Sequence, residues 1–151
     1  MLQVFSDAGF FLGTAFATTL IFENWHTQVI FFSRKYEGLE SCTIAEILGL
    51  EQSLQWIIEN RPEDKRVEVY TDNLSVAQKL CDYVDTCIVR KGAYHALWMH
   101  MYELCDKFSD ISVFHVPSHQ PEHNPNKACD MLCAALLRPY KLEDRRTACT
   151  Q

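Results

Sequence analysis

Asp7, Glu46, Asp72 and Asp130 are the residues whose types and positions could do chemistry. Asp7 ends the apolar run LQVFSD, and Asp72 ends a second strand-like run, VEVYTD. Glu46 lies near the start of the helical pattern TIAEILGLEQSLQWIIE, and Asp130 lies in NKACDMLCAALL, just after a His-rich loop. A lone acid at the end of a hydrophobic strand is costly without a partner. Acids at two strand ends and inside two helices can converge at one end of a sheet, where open α/β sheets place their sites. Carboxylates gathered there repel one another unless cations neutralise them, so the cluster predicts divalent metal. Two metals held by shared carboxylates are a common apparatus for cutting a phosphodiester. Taken singly, Glu46 also reads as a first-turn acid favoured by the helix dipole, and Asp130 as a surface helix residue.

These acids need elements to hold them. Residues 2–7, 11–22 and 27–33 are rich in β-branched and aromatic types, with ENWH as a turn between the second and third. They predict an antiparallel meander of three strands. After a polar loop, the spacing of Ile44, Ile47, Leu48, Leu54, Ile57 and Ile58 predicts a helix over 43–59, stopped by Asn60, Arg61 and Pro62. A strand at 67–71, helices at 74–84 and 93–108, a strand at 111–116 and a helix at 126–138 ended by Pro139 complete the order βββαβααβα. Asn73 is a natural N-cap for the second helix. This order implies an α/β fold: a mixed five-stranded sheet with helices on both faces. Residues 1–138 are expected to form the domain, and 139–151 a polar, fraying tail.

With 151 residues, 48% of them hydrophobic, the chain suits one domain with one core and is too apolar for disorder. The formal net charge of -6 is unusual for a nucleic-acid binder, although part of it is the carboxylate cluster itself. The seven cysteines form an odd, scattered set, and the apolar stretch from Phe10 to Phe22 is too short to span a bilayer and lacks a basic segment before it. The expectation is a cytoplasmic or nuclear protein with reduced thiols, neither secreted nor membrane-bound. Cys129 and Cys133, one helical turn apart after His119 and His123, read better as buried small hydrophobes than as zinc ligands.

The order of elements and acids resembles ribonuclease H of the type 1 class, over about residues 2–138. VFSDAG, TIAEILGLEQSL, VEVYTDN and FHVPSHQPEHNPNKACDMLCAAL carry the likeness; the VPSHQ loop is also similar to the RNase H domain of reverse transcriptases. The resemblance implies hydrolysis of the RNA strand of RNA–DNA hybrids with two Mg²⁺ ions, Mn²⁺ able to substitute. Asp7 would bridge both metals, Glu46 and Asp72 would hold the one that activates water, and Asp130 the one beside the leaving 3′ oxygen. The ends formed would be a 3′ hydroxyl and a 5′ phosphate. His119 matches the family's mobile histidine, which assists proton movement or product release, with His123 a rival four residues on.

The same resemblance places Ala8, Gly9, Ser41, Cys42, Thr43, Asn73 and Asn126 toward the substrate. Here the chain departs from the family pattern. Ala8-Gly9 follows the first acid where Gly-Ser is usual, Ser41-Cys42-Thr43 replaces an amide-bearing loop, Asn73 replaces Ser, and the basic, Trp-rich protrusion is missing. These departures leave metal chemistry intact and the identity of the nucleic acid open. The alternatives are a nuclease of this fold acting on DNA or structured RNA, and a non-catalytic domain of the same fold.

Overall fold

A computed structural model describes residues 1–117 and 124–150, so His119 and His123 lie outside the described residues. Strands β1 (Leu2–Phe11), β2 (Thr14–Glu23) and β3 (Thr27–Tyr36) form the antiparallel meander. Helix α1 (Cys42–Asn60) leads to β4 (Arg66–Thr71), α2 (Leu74–Thr86), α3 (His95–Cys105), β5 (Asp110–His115) and α4 (Pro125–Thr150). The sheet order is β3-β2-β1-β4-β5, with β4 parallel to β1 and β5 parallel to β4. The five-stranded mixed sheet of the sequence reading is therefore present, in the expected chain order.

Strand alternation divides β1 between two faces. Ser6 lies against Gly49 of α1, where a side chain on the glycine would come within 2.7 Å of Ser6 Oγ. Phe5 and Asp7 face α4, whose Cys129 and Cys133 thiols reach their backbone carbonyls. The main core fills the α1 side: Leu2, Val4 and Ile21 from the sheet, Ile47, Leu50, Leu54 and Ile57 from α1, and Trp98, Met101 and Tyr102 from α3.

Two expectations change. The buried stripe of α1 is rotated from the one read in sequence: Ile44, Leu48 and Ile58 are only half-buried, while Gly49, Gln52 and Ser53 are buried. The cause is a polar seam in which Gln52 Nε2 donates to the Ala17 carbonyl at 2.8 Å and Ser53 Oγ lies 2.6 Å from Thr19 Oγ1. Satisfied by these bonds, polar side chains can take core positions that periodicity assigns to Ile and Leu.

Pro139 does not end the last helix, which runs on to Thr150. A proline forfeits the bond to the carbonyl four residues back. That carbonyl belongs to Ala135, and both residues are exposed, so water can serve it. Beyond the proline, Tyr140 packs on Phe16 with ring centroids 5.9 Å apart, and Lys35 Nζ lies 5.0 Å over the Tyr140 ring.

Candidate metal centre and its surroundings

The acids meet where β4 ends and its pairing with β1 stops; Asp7 does not end β1, as its apolar run suggested, because pairing with β2 carries that strand on to Phe11. Asp7 is held by β1, Asp72 follows directly on β4, and Glu46 projects from the first turns of α1. Carboxylate oxygens of Asp7, Glu46 and Asp72 all lie within 4.8 Å of one another. Asp130, exposed on the second turn of α4, completes the group, near enough to bear electrostatically on both Asp7 and Asp72. The four acids singled out in sequence thus come together.

Their electrostatics fit a cation site. Asp7 is 4% exposed and Glu46 7%. Burial, followed by the charge of Asp72, raises Asp7 to about 7, even though the Ala8 amide donates to its Oδ1 at 2.9 Å. Glu46 is pushed well above the usual carboxylate range, first by burial and then by Asp7 and Asp72. Asp72 is raised chiefly by burial, against a lowering hydrogen bond from Asn126. A bound divalent ion would compensate this gathered charge, and an all-carboxylate donor set suits a hard cation. The triad can therefore hold a metal ion.

The remaining candidates fall into distinct places. Asn126 is 3% exposed and buttresses Asp72; its own Oδ1 is buried without a partner among the described residues. Ser41 caps α1, accepting from the Ile44 amide at 3.3 Å, and its Oγ also lies 3.0 Å from the Tyr94 hydroxyl. Cys42 is exposed at the start of α1, and its thiol is raised by partial burial and then by Glu46, Asp7 and Asp72. Thr43 is half-buried in the same turn. Asn73 caps α2 by accepting from the Val76 amide at 3.0 Å. Gly9 faces α4.

Cys129 and Cys133 are buried against the sheet, and all seven cysteines are free of disulfides. Among the described residues, the group able to hold a metal contains neither thiol. Two neighbours of the site went unassigned in sequence. His115 ends β5 with Nε2 3.1 Å from the Asp72 carbonyl oxygen, and Tyr94, in a left-handed conformation with φ 59°, reaches Ser41. The only sequence signal for His115 is its place at the end of a strand beside another acid-tipped strand; Tyr94 gave none, because its partner is far away in the chain.

A sheet of this order, with acids from β1, α1, the end of β4 and α4, defines the ribonuclease H fold. Solved structures bear this out. LC11-RNase H1, in complex with an RNA/DNA hybrid, is 14% identical with a TM-score of 0.71, covering 89% of this chain and 95% of that one. RNase H1 from the halophilic archaeon Halobacterium salinarum is 17% identical with a TM-score of 0.72, over 91% of this chain and 98% of its own. The N-terminal RNase H domain of a Mycobacterium tuberculosis protein, also 17% identical, has a TM-score of 0.73 over 95% of this chain and 97% of that one. The prototype foamy virus protease-reverse transcriptase matches with a TM-score of 0.67 at 18% identity, over 89% of this chain and 20% of that one. No sequence model of a protein family matches the chain, and no curated protein does. Among the described residues, no helix is long and apolar enough to cross a membrane.

Proposed function

We propose that this protein is a metal-dependent endonuclease that hydrolyses the RNA strand of RNA–DNA hybrids. The observation that supports this best is the meeting of Asp7, Glu46 and Asp72 within 4.8 Å, with Asp130 beside them, on a ribonuclease H fold. Asp7, Glu46 and Asp72 would hold one Mg²⁺ and Asp7 with Asp130 a second; Mn²⁺ has the same taste for oxygen ligands. Bound there, the ions supply Lewis-acid activation of water and stabilisation of the departing oxygen.

The chain's own groups do the rest. The Ala8 amide and the Asn126 side chain fix the carboxylates of Asp7 and Asp72. His119 is assigned the proton that the leaving oxygen needs, a task suited to a group titrating near neutral pH. Hydrolysis puts the water's hydroxyl on phosphorus and its proton on the 3′ oxygen, leaving a 5′ phosphate and a 3′ hydroxyl. The residues offered to substrate are Ala8, Ser41, Cys42, Thr43 and Asn73. Ser41 is already engaged by Tyr94 and the Ile44 amide, which favours, as the second reading, a nuclease of this fold with a different duplex preference.

Matched RNA–DNA, RNA–RNA and DNA–DNA duplexes, each with one labelled strand, test the proposal with and without Mg²⁺. Mg²⁺-dependent cutting of RNA in the hybrid, abolished by Asp7→Asn and by Asp72→Asn with the fold retained, is the expected result. Preference for DNA–DNA would favour the second reading. Absence of metal binding at millimolar concentration would leave a non-catalytic domain.

A further inference from the structure

At Gly9, β1 and α4 approach closely. A Cβ built on it would lie 2.6 Å from Leu137 Cδ1 and 3.1 Å from Cys133 Cβ. Both distances are well inside an ordinary carbon contact of roughly 3.5–4.0 Å. Leu137 is 2% exposed, so its methyl has little free volume to move into. Cys133 Cβ can retreat only with the helix backbone.

That backbone is tied down at the same level. The Cys133 thiol reaches the Asp7 carbonyl at 3.7 Å and the Phe16 carbonyl at 3.3 Å, and lies 3.1 Å from Thr18 Oγ1. One turn earlier, the Cys129 thiol reaches the Phe5 carbonyl at 3.8 Å. Sulfur bonds are weak singly, but four contacts from two turns, two to β1 and two to β2, draw α4 onto this part of the sheet, with Gly9 leaving the room. Asp130 lies between these two cysteines in sequence, and its carboxylate bears on Asp7 and Asp72. A helix transmits such a seating stiffly, because three residues span only about 4.5 Å of its axis. Glycine is otherwise a poor choice inside a strand, where it commonly marks close approach of another element.

We propose that Gly9 is a positioning residue: its missing side chain sets the α4–β1 separation that brings Asp130 to Asp7 and Asp72. This rests on reading the four acids as a divalent-metal site. It also separates Gly9 from a substrate-contacting role, which would act on nucleic-acid affinity and leave metal affinity alone.

The test uses the full chain with Gly9→Ala, Gly9→Val, Leu137→Ala and the double variant Gly9→Ala/Leu137→Ala. Mn²⁺ and Mg²⁺ binding is measured calorimetrically without nucleic acid, and hybrid cleavage separately. Gly9→Ala is expected to weaken metal binding roughly three- to tenfold and Gly9→Val further, since displacement by about 1 Å can cost on the order of 100-fold in function. Leu137→Ala alone should bind metal as the parent does. The double variant should recover most of the loss, because the methyl at 2.6 Å is gone. Should Gly9→Val unfold, the comparison of Gly9→Ala with its rescue still decides. Parent-like metal affinity in Gly9→Ala, or a double variant no better than Gly9→Ala, overturns the proposal. A parent protein that binds metal but cuts no duplex overturns the nuclease reading alone; one that binds no metal overturns both.

Discussion

The His115 ring nitrogen Nε2 lies 3.1 Å from the backbone carbonyl oxygen of Asp72. A carbonyl only accepts, so this nitrogen must carry the hydrogen. One residue further on, the Val116 amide donates to the Thr71 carbonyl at 2.9 Å. Together the two bonds clamp the end of β4 to the end of β5, while Asn126 holds the Asp72 carboxylate from α4. A candidate metal ligand at a strand end is thus fixed at its backbone and at its side chain by different elements.

His115→Ala removes the backbone half of that support. A net hydrogen bond is worth about 1 kcal/mol. If its loss is expressed at Asp72, Mg²⁺ affinity should fall roughly fivefold, since about 1.4 kcal/mol corresponds to tenfold. Calorimetric titration measures this directly. Unchanged metal affinity would show that the clamp has no influence on the ligand.

Asp7 gives a pH dependence whose sign can be worked out. Its folded value, raised to about 7, lies above the ordinary 3.8, so the folded chain binds more protons between those limits. Stability then falls as pH rises across that window. Glu46, also raised, acts in the same direction. Without metal, the protein should melt at a higher temperature at pH 5 than at pH 8, and Asp7→Asn should remove part of the difference. Millimolar Mg²⁺ should restore stability at pH 8 in the parent but much less in Asp7→Asn, because ligand binding stabilises only the state that binds. Thermal melts across pH, with and without Mg²⁺, check all three; a parent stability that rises from pH 5 to pH 8 without metal contradicts the account.

The sequence made the acids legible because two of them close apolar, strand-like runs. Asp7 and Asp72 each follow an apolar run, a local signal that holds for Asp72 at the end of β4 but stops short for Asp7, since β1 continues to Phe11 against β2. Glu46 and Asp130 have no comparable local mark; their assignment came from the ribonuclease H resemblance. The supports were harder to see. The bonds of Ser41 with Tyr94 and of His115 with Asp72 join residues 53 and 43 positions apart, and no periodicity carries that information. The Gln52–Ala17 and Ser53–Thr19 seam likewise overrode the apolar pattern of α1 because its polar groups are satisfied across the sheet.

Pro139 misled for a different reason: propensity rules price a proline by its local cost, whereas tertiary contacts sustain the helix beyond it. A proline inside a helix costs about 3 kcal/mol relative to alanine. Part of this is relieved when the deprived carbonyl, that of Ala135, can meet water. Pro139→Ala should therefore raise stability, by roughly 1–3 kcal/mol, and strengthen the far-UV helical signal. Tyr140→Ala should do the reverse, removing the Phe16 contact that anchors the segment after the proline. Denaturant unfolding of both variants is the check; no gain from Pro139→Ala would mean that the proline is needed for Tyr140 to dock.

The thiols supply a chemical probe of the centre. Cys105 and Cys133 are buried, and burial pushes each up to about 12, with Cys129 higher still. Alkylation requires the thiolate, so these three should react only on unfolding. Cys42 is exposed, but partial burial and the charges of Glu46, Asp7 and Asp72 hold its thiol above the ordinary range. Cys42 should therefore be alkylated slowly for an exposed thiol in metal-free protein. A divalent ion among the acids cancels part of the field acting on Cys42 and raises its thiolate fraction. Mg²⁺ should then accelerate alkylation of Cys42 severalfold, leave Cys149 unchanged, and have no such effect in Asp7→Asn. Mass-spectrometric rates for each cysteine measure this. Equal acceleration in Asp7→Asn would place the cation's influence outside the Asp7–Glu46–Asp72 triad.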